Sequence, residues 1–356
     1  MKKKKRKNKT SLQDFLVVGV IIVAIILAYL LLNQSNDQKI KINVIRITAP
    51  NCQNCLDTSK IMQGILKSEK DLIVSSEKKI SADSDEGRKI TEKYKISRVP
   101  AIVIFSNKID KVNVIQGLFK IENNVAIFEK AVPYLDLQSG EVKGIVKISQ
   151  ISKDCKECPK PSQIEGAFKR LGVVTDSNVE TIDVNSDKAK KIFNETKVKF
   201  YPMFLISKEI EEYWWVMPQL SHSLGKIKEG YFLKSPLPPY FDKDGIKRGL
   251  VKLTIIYNKS CSDCFNMSSF KSALERAGIF IANEQLVDVS SLYGKSLIKK
   301  YNISKIPSLI ISKDIIEYTP ILKELNNTGT FEKDGNYVLR NLGNVRGFQK
   351  INASLY

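Results

Sequence analysis

The chain has 356 residues, 43% of them hydrophobic and 27% charged, and a formal net charge of +19. That length predicts two or three domains, and so ordinary an apolar share excludes a mostly disordered or fibrous chain. A single histidine, His222, removes most His-based metal sites, Ser-His-Asp triads and Cys-His nucleophile pairs, and six cysteines are too few for a disulfide-dense mini-scaffold.

Residues 1–14 hold Lys2, Lys3, Lys4, Lys5, Arg6, Lys7 and Lys9 against Asp14. Residues 15–32 carry no charge at all, and as a helix they span about 27 Å, close to a bilayer's hydrocarbon thickness. The run is longer than a signal-peptide core, and Ala28, Tyr29, Leu30 make a poor cleavage site, so an uncleaved anchor is expected. The positive-inside rule keeps the basic tail in the cytoplasm. Beyond a polar linker, 33–40, the rest is expected outside the cytoplasmic membrane, where disulfides persist. The lysines beyond the tail are scattered, without an RNP-type aromatic motif or a zinc finger, so no nucleic-acid partner is expected.

The remainder repeats itself three times. All six cysteines fall in C-x-x-C pairs, Cys52 with Cys55, Cys155 with Cys158, and Cys261 with Cys264, the first cysteines lying 103 and 106 residues apart. An apolar, β-branched run precedes each pair, from Ile42, Ile145 and Leu250, and predicts a strand. Helical periodicity follows: Ile61, Met62, Ile65 and Leu66; Ile164, Ala167, Phe168 and Leu171; Cys264, Met267, Phe270, Leu274 and Ala277. A second strand is expected at Val179–Val184 and Gln285–Val289, with only a degraded trace near Lys79–Ser81 in the first repeat. Short amphipathic helices come next, at 88–94, 189–193 and 295–301. Each repeat then has an apolar strand led by a proline, at Val99-Pro100, Tyr201-Pro202 and Ile306-Pro307, and these prolines stand 48, 47 and 46 residues beyond their first cysteines.

The seams repeat as well. Pro133, Tyr134, Asp136, Gly140 and Gly144 reappear as Pro239, Tyr240, Asp242, Gly245 and Gly249, and the third repeat lacks this P-Y-x-D seam. Domain limits are expected at 41–140, 141–245 and 246–356. Trp214 and Trp215 are read as a half-buried strand, Asp183 and Asp288 as turn or cap residues, Met203 and Met267 as core, and His222 as an exposed loop residue.

The order strand, C-x-x-C at a helix start, helix, strand, helix, proline-led strand resembles the thioredoxin-like superfamily. Lys300 to Ile311 and Lys93 to Ile104 look like its cis-proline segment. The resemblance implies an α/β protein of three tandem thioredoxin-like domains, each a central mixed β-sheet flanked by helices, preceded by one N-terminal transmembrane helix. It implies attacking roles for Cys52, Cys155 and Cys261 and resolving roles for Cys55, Cys158 and Cys264. It also implies substrate contact through the backbones at Val99-Pro100, Tyr201-Pro202 and Ile306-Pro307, cis bonds that let the preceding residue pair with an extended substrate.

The physics agrees with those roles. A thiol at a helix N-terminus is favoured as thiolate, and a spacing of three lets the second thiol close the disulfide. The departures are Asn51, Asp154 and Ser260 where thioredoxins commonly carry Trp, acidic neighbours (Asp154, Glu157, Asp263) that raise the thiol pKa against Lys156, and no buried carboxylate on the first strands. Slow or specialised exchange is therefore expected, without cofactor or metal, on exported cysteine-containing clients and with a separate redox partner. Two other readings stay open: a scaffold with structural disulfides, and a protein that handles metal through thiolates.

Overall fold

The computed structural model describes residues 39–341 and 346–351. The expected tail at 1–14, the membrane helix at 15–32 and nearly all of the linker lie outside the described residues, among which no helix is long and apolar enough to cross a membrane.

Two compact units divide the chain, one reaching to Lys143 and one beginning at Gly144. The first unit contains a five-stranded sheet in the order Leu72–Ser81, Ile40–Thr48, Ala101–Phe105, Val125–Phe128, Lys120–Glu122. The strand before the cysteines, Ile40–Thr48, runs parallel to Leu72–Ser81 and antiparallel to the proline-led strand. Strict alternation sends its side chains to two faces. Ile42 and Val44 pack with Met62 and Ile65 of the helix Thr58–Ser68, while Ile47 packs with Ile80, Ile96 and Val99 on the other face.

The second unit holds the same sheet twice. One runs Glu180–Asp183, Ile148–Ser152, Met203–Ser207, Gly230–Leu233, Leu224–Ile227; the other runs Ile281–Asp288, Val251–Tyr257, Ser308–Ile311, Tyr337–Leu339, Gly329–Phe331. In all three sheets the strand before the cysteines lies between a parallel neighbour and the antiparallel proline-led strand. Three five-stranded sheets thus distribute over two compact units, and within the second unit side chains tie the second seam to the last repeat. The Tyr240 hydroxyl donates to Glu317 at 2.9 Å, and Asp314 accepts from the Gly249 amide at 3.1 Å.

One turn recurs in every copy. The helices Asp85–Lys93, Asp187–Thr196 and Leu292–Tyr301 each begin after a serine whose hydroxyl accepts from the third amide beyond it: Ser84 from Gly87, Ser186 from Ala189, Ser291 from Gly294. Such a cap satisfies a backbone donor that the helix itself leaves unpaired. Gly87 also sits where a Cβ would lie 2.0 Å from the Ser81 carbonyl oxygen, which is why a glycine serves there.

Several expectations need correction. The first repeat's second strand is no trace but ten residues long, Leu72–Ser81; most of its side chains face solvent, so it lacks the apolar alternation that marks a strand. Trp214 and Trp215 form no strand. They lie between the short 3-10 helix Lys208–Glu212 and the helix Met217–Leu220, Trp214 is 51% exposed, and the Trp215 indole donates to the Leu171 carbonyl. Met203 and Met267 are buried core residues, Asp183 and Asp288 accept amide hydrogens from Asn185 and Ser290 two residues on, and His222 is an exposed turn residue.

Tyr213 and Tyr318 hold matching places that the sequence reading did not single out as a pair. Tyr213 donates to the Gly144 carbonyl at 2.6 Å and accepts from the Val174 amide at 3.0 Å. Tyr318 does the same with Gly249 at 2.8 Å and Phe280 at 3.0 Å. Burial pushes both phenols up to about 12.

Candidate functional site: three cysteine pairs and three cis-prolines

Each C-x-x-C pair forms a disulfide, with Cα atoms 5.4, 5.4 and 5.5 Å apart in chain order. The peptide bonds Val99–Pro100, Tyr201–Pro202 and Ile306–Pro307 are cis, and so are Val132–Pro133 and Pro238–Pro239 in the seams. The pairs do not stand at a helix start, as expected from sequence. They occupy a turn, and the helices begin at Thr58, Pro161 and Ser268, beyond the second cysteine in every copy. A helix dipole acts mainly within its first turn, so its pull on Cys52, Cys155 and Cys261 is weak. The Asp57 carboxylate already caps the first of these helices through the Ser59 amide at 2.9 Å, and that hydrogen bonding holds Asp57 below the usual carboxylate range.

The surroundings differ from copy to copy. Arg46, Gln150 and Ile255 occupy matching positions of the preceding strands, each paired with the residue two beyond the cis-proline, Ile102, Phe204 and Leu309. Arg46 pairs with Glu77 and lies 3.8 Å from Asp57. Among the described residues no Asp or Glu is buried, so no enclosed carboxylate stands ready to take a thiol proton. Beside the middle pair, Glu157 Oε2 is 3.8 Å from Cys155 Sγ. A hydrogen bond from Lys247 at 2.7 Å, helped by Lys156, holds this carboxyl below its ordinary range. A fixed negative charge at that distance opposes a thiolate at Cys155. Lys160 donates to the Cys155 carbonyl at 2.7 Å rather than to sulfur.

Access differs even more. Cys155 and Cys158 are 5% and 3% exposed and form a small apolar cluster with Phe241 and Tyr201. Cys52, Cys55, Cys261 and Cys264 are half-buried. The third pair opens on a cleft of about 310 Å³ lined by Cys261, Cys264, Phe265, Met267, Leu286 and Pro307, where Leu286 is 63% exposed. Loop and sheet are fastened together at this cleft, because Asp288 Oδ2 accepts from the Lys259 amide at 3.0 Å.

The sequence reading missed the strand that lies on the residue before each cis-proline. In the first copy Val99 pairs antiparallel with Leu135. In the second, Tyr201 and Phe241 exchange both backbone hydrogen bonds, at 3.1 and 2.7 Å, and their rings stack at 4.9 Å. In the third, Ile306 pairs with Gln349. The P-Y-x-D recurrence was the signal for the first two: its third residue makes the pairing, and its aspartate closes the hairpin turn. Asp136 accepts from the Gln138 and Ser139 amides, and Asp242 from those of Asp244 and Ile246. Nothing in the sequence marked Gln349, which shares no motif with the seams.

Mixed sheet, cysteine turn and cis-proline strand give each repeat a thioredoxin-like arrangement on its own topology. Among the described residues no cluster of three or more His, Cys, Asp or Glu side chains could hold a metal ion. No family model matches the chain, and no curated protein matches its sequence. Solved structures that resemble it include the N/C domain of the N-terminal part of the alkylhydroperoxide reductase AhpF from Enterococcus faecalis, at 15% identity and a TM-score of 0.17, over 48% of this chain and 83% of that one. Full-length ERdj5 follows at 11% identity and a TM-score of 0.16, over 90% of this chain and 44% of its own. Zinc-bound human ERp44 has 10% identity and a TM-score of 0.15, over 87% of this chain and 96% of its own. At such TM-scores the likeness adds nothing to the topology itself.

Proposed function

We propose that the chain is a thiol–disulfide oxidoreductase in which the first and third cysteine pairs exchange with clients and the middle pair is a structural bridge. The observation that carries this reading is the contrast in access: Cys261 and Cys264 open on a cleft beside Pro307, whereas Cys155 and Cys158 are sealed. Reactive cysteines need partial exposure, and buried ones are inert.

In the disulfide form a client thiolate attacks Cys261 sulfur, a client–Cys261 disulfide forms and Cys264 leaves as thiolate. A second client thiolate then attacks the client sulfur of that bond, closes the client disulfide and frees Cys261. The client loses two electrons and the pair gains them; the reverse sequence reduces a client. Cys52 and Cys55 follow the same course. The pairs are recharged by a separate redox partner, with no organic cofactor. The clients are exported cysteine-containing proteins, met outside the cytoplasmic membrane by domains 41–140, 141–245 and 246–356 on the anchor 15–32. The charge-free run behind a basic tail supports that placement.

Changing Cys55, Cys158 and Cys264 singly to Ala in cells tests this. Mixed disulfides with clients are expected on Cys52 and Cys261 and not on Cys155. Adducts on none of them, together with a reduction potential below about −300 mV for every pair, would leave a scaffold with structural disulfides.

A further inference from the structure

The third site is not empty: a segment of the chain itself, Arg346–Ile351, lies across it. Ile306 and Lys305 pair with Gln349 and Lys350, and the Ile351 amide donates to the Ser304 carbonyl at 2.9 Å. On the other side the Phe265 amide, next to Cys264, donates to the Gly347 carbonyl at 2.8 Å. The Phe348 ring stacks on Phe265 at 5.5 Å and 20° and packs against the core. Between these anchors Gln349 Nε2 donates to Cys261 Sγ at 3.1 Å, while its Oε1 accepts from Asn258 Nδ2 at 3.1 Å.

The fit is close at Gly347. Its φ is +90°, and a Cβ there would lie 2.7 Å from the Phe265 nitrogen, so an L side chain is excluded twice over. The first copy uses the same hydrogen bonds, Leu56 to Pro133 at 3.3 Å and Leu137 to Ser97 at 2.9 Å. There the pairing strand belongs to a hairpin, Tyr134–Asp136 with Val142–Lys143, and in the second copy to Tyr240–Phe241 with Lys247–Arg248. Gln349–Lys350 has a strand partner on one side alone among the described residues, since its sheet has two strands. A strand paired along one edge opens at lower free energy than one braced on both.

We propose that Arg346–Ile351 occupies the client position of the third site, and that a client enters by taking its place. The client is an extended segment with an aromatic side chain against Phe265, followed at once by the residue that faces Cys261. This deepens the exchange reading above and rests on it for the word client.

Limited reduction of the full oxidised chain, followed by alkylation and mapping of each pair by mass spectrometry, tests the inference without any client turnover. Phe348→Ala and Gly347→Val are expected to speed labelling of Cys261 and Cys264 about tenfold, by opening one local segment, and to leave the other two pairs unchanged. A synthetic hexapeptide with the sequence of residues 346–351, at millimolar concentration, is expected to slow labelling again in the Phe348→Ala chain; the same peptide with Ala for Phe is not. Unchanged labelling in both variants, a rise shared equally by all three pairs, or no effect of the aromatic peptide each overturns the inference. Strand-dependent labelling without client adducts would instead keep the groove and remove the exchange reading.

Discussion

The middle and third cysteine sites sit in one compact unit on sheets of one topology, yet one pair is sealed and the other is half-buried beside a cleft. The difference lies in what pairs with the residue before the cis-proline. In the middle copy an aromatic residue, Phe241, stacks on Tyr201 and buries both sulfurs, while Lys153 and Lys247 lie 5.1 and 5.2 Å from its ring centre. Lys247 also ties down Glu157 beside the sulfur. In the third copy the paired residue is Gln349, whose polar side chain bonds to the sulfur instead of covering it, and whose aromatic neighbour packs on Phe265 at the side. One fold therefore encloses one disulfide and leaves another half-buried, and the residue paired beside the cis-proline, outside the C-x-x-C motif, differs between them.

The strongest way to break that comparison is to remove the cover. Phe241→Ala is expected to cost about 3–5 kcal/mol of stability, as for a buried aromatic truncated in a core. It should also bring reduction of the Cys155–Cys158 disulfide up towards the rate of Cys261–Cys264, read by alkylation under limiting reductant. If the middle pair stays the slowest in a folded variant, ring cover is not what protects it.

A smaller change asks whether the two scaffolds are otherwise equal. Tyr213→Phe and Tyr318→Phe each strip the hydroxyl that joins a buried carbonyl to a neighbouring amide. Leaving those two groups unpaired should cost about 1–3 kcal/mol in either variant, measured as a shift of the urea midpoint. The ranking of the cysteine pairs by reduction rate should not move. A large loss in one copy alone would mean that the matching geometry hides unequal support.

The comparison also separates what the sequence carried from what it could not. Periodic features were legible: three cysteine pairs, three prolines at nearly one distance, β-branched runs and a repeated seam. Elements that face water were not, and Leu72–Ser81 escaped because an exposed edge strand has no apolar face to display. The helix start was misplaced because Cys264 and Met267 continue the apolar spacing of Phe270 and Leu274 backwards, although the chain is still turning there. The closing strands escaped for a different reason. Whether a disulfide is covered depends on contacts between residues such as Cys155 and Phe241, which no local pattern relates.

The mildest test uses acid, because the two copies fasten the helix after the second strand differently. In the third, Lys300 Nζ bonds to Asp334 at 2.8 Å and the Tyr301 hydroxyl donates to the same carboxyl at 2.8 Å, which lowers Asp334 to about 2. In the second, the corresponding hairpin turn is held by Glu195 accepting from the Lys228 amide at 3.2 Å, a bond to a neutral donor. A carboxyl depressed by folding contributes stability that is complete above its unfolded value of 3.8 and is lost as pH falls towards about 2. Amide exchange in Leu292–Tyr301 should therefore quicken over that window, and Asp334→Asn should abolish the change. Asp187–Thr196 should show less of it. Because the Lys300–Asp334 pair is exposed, added salt should shrink the effect. Equal loosening of both helices in acid would assign it to the net charge of the whole chain and not to this pair.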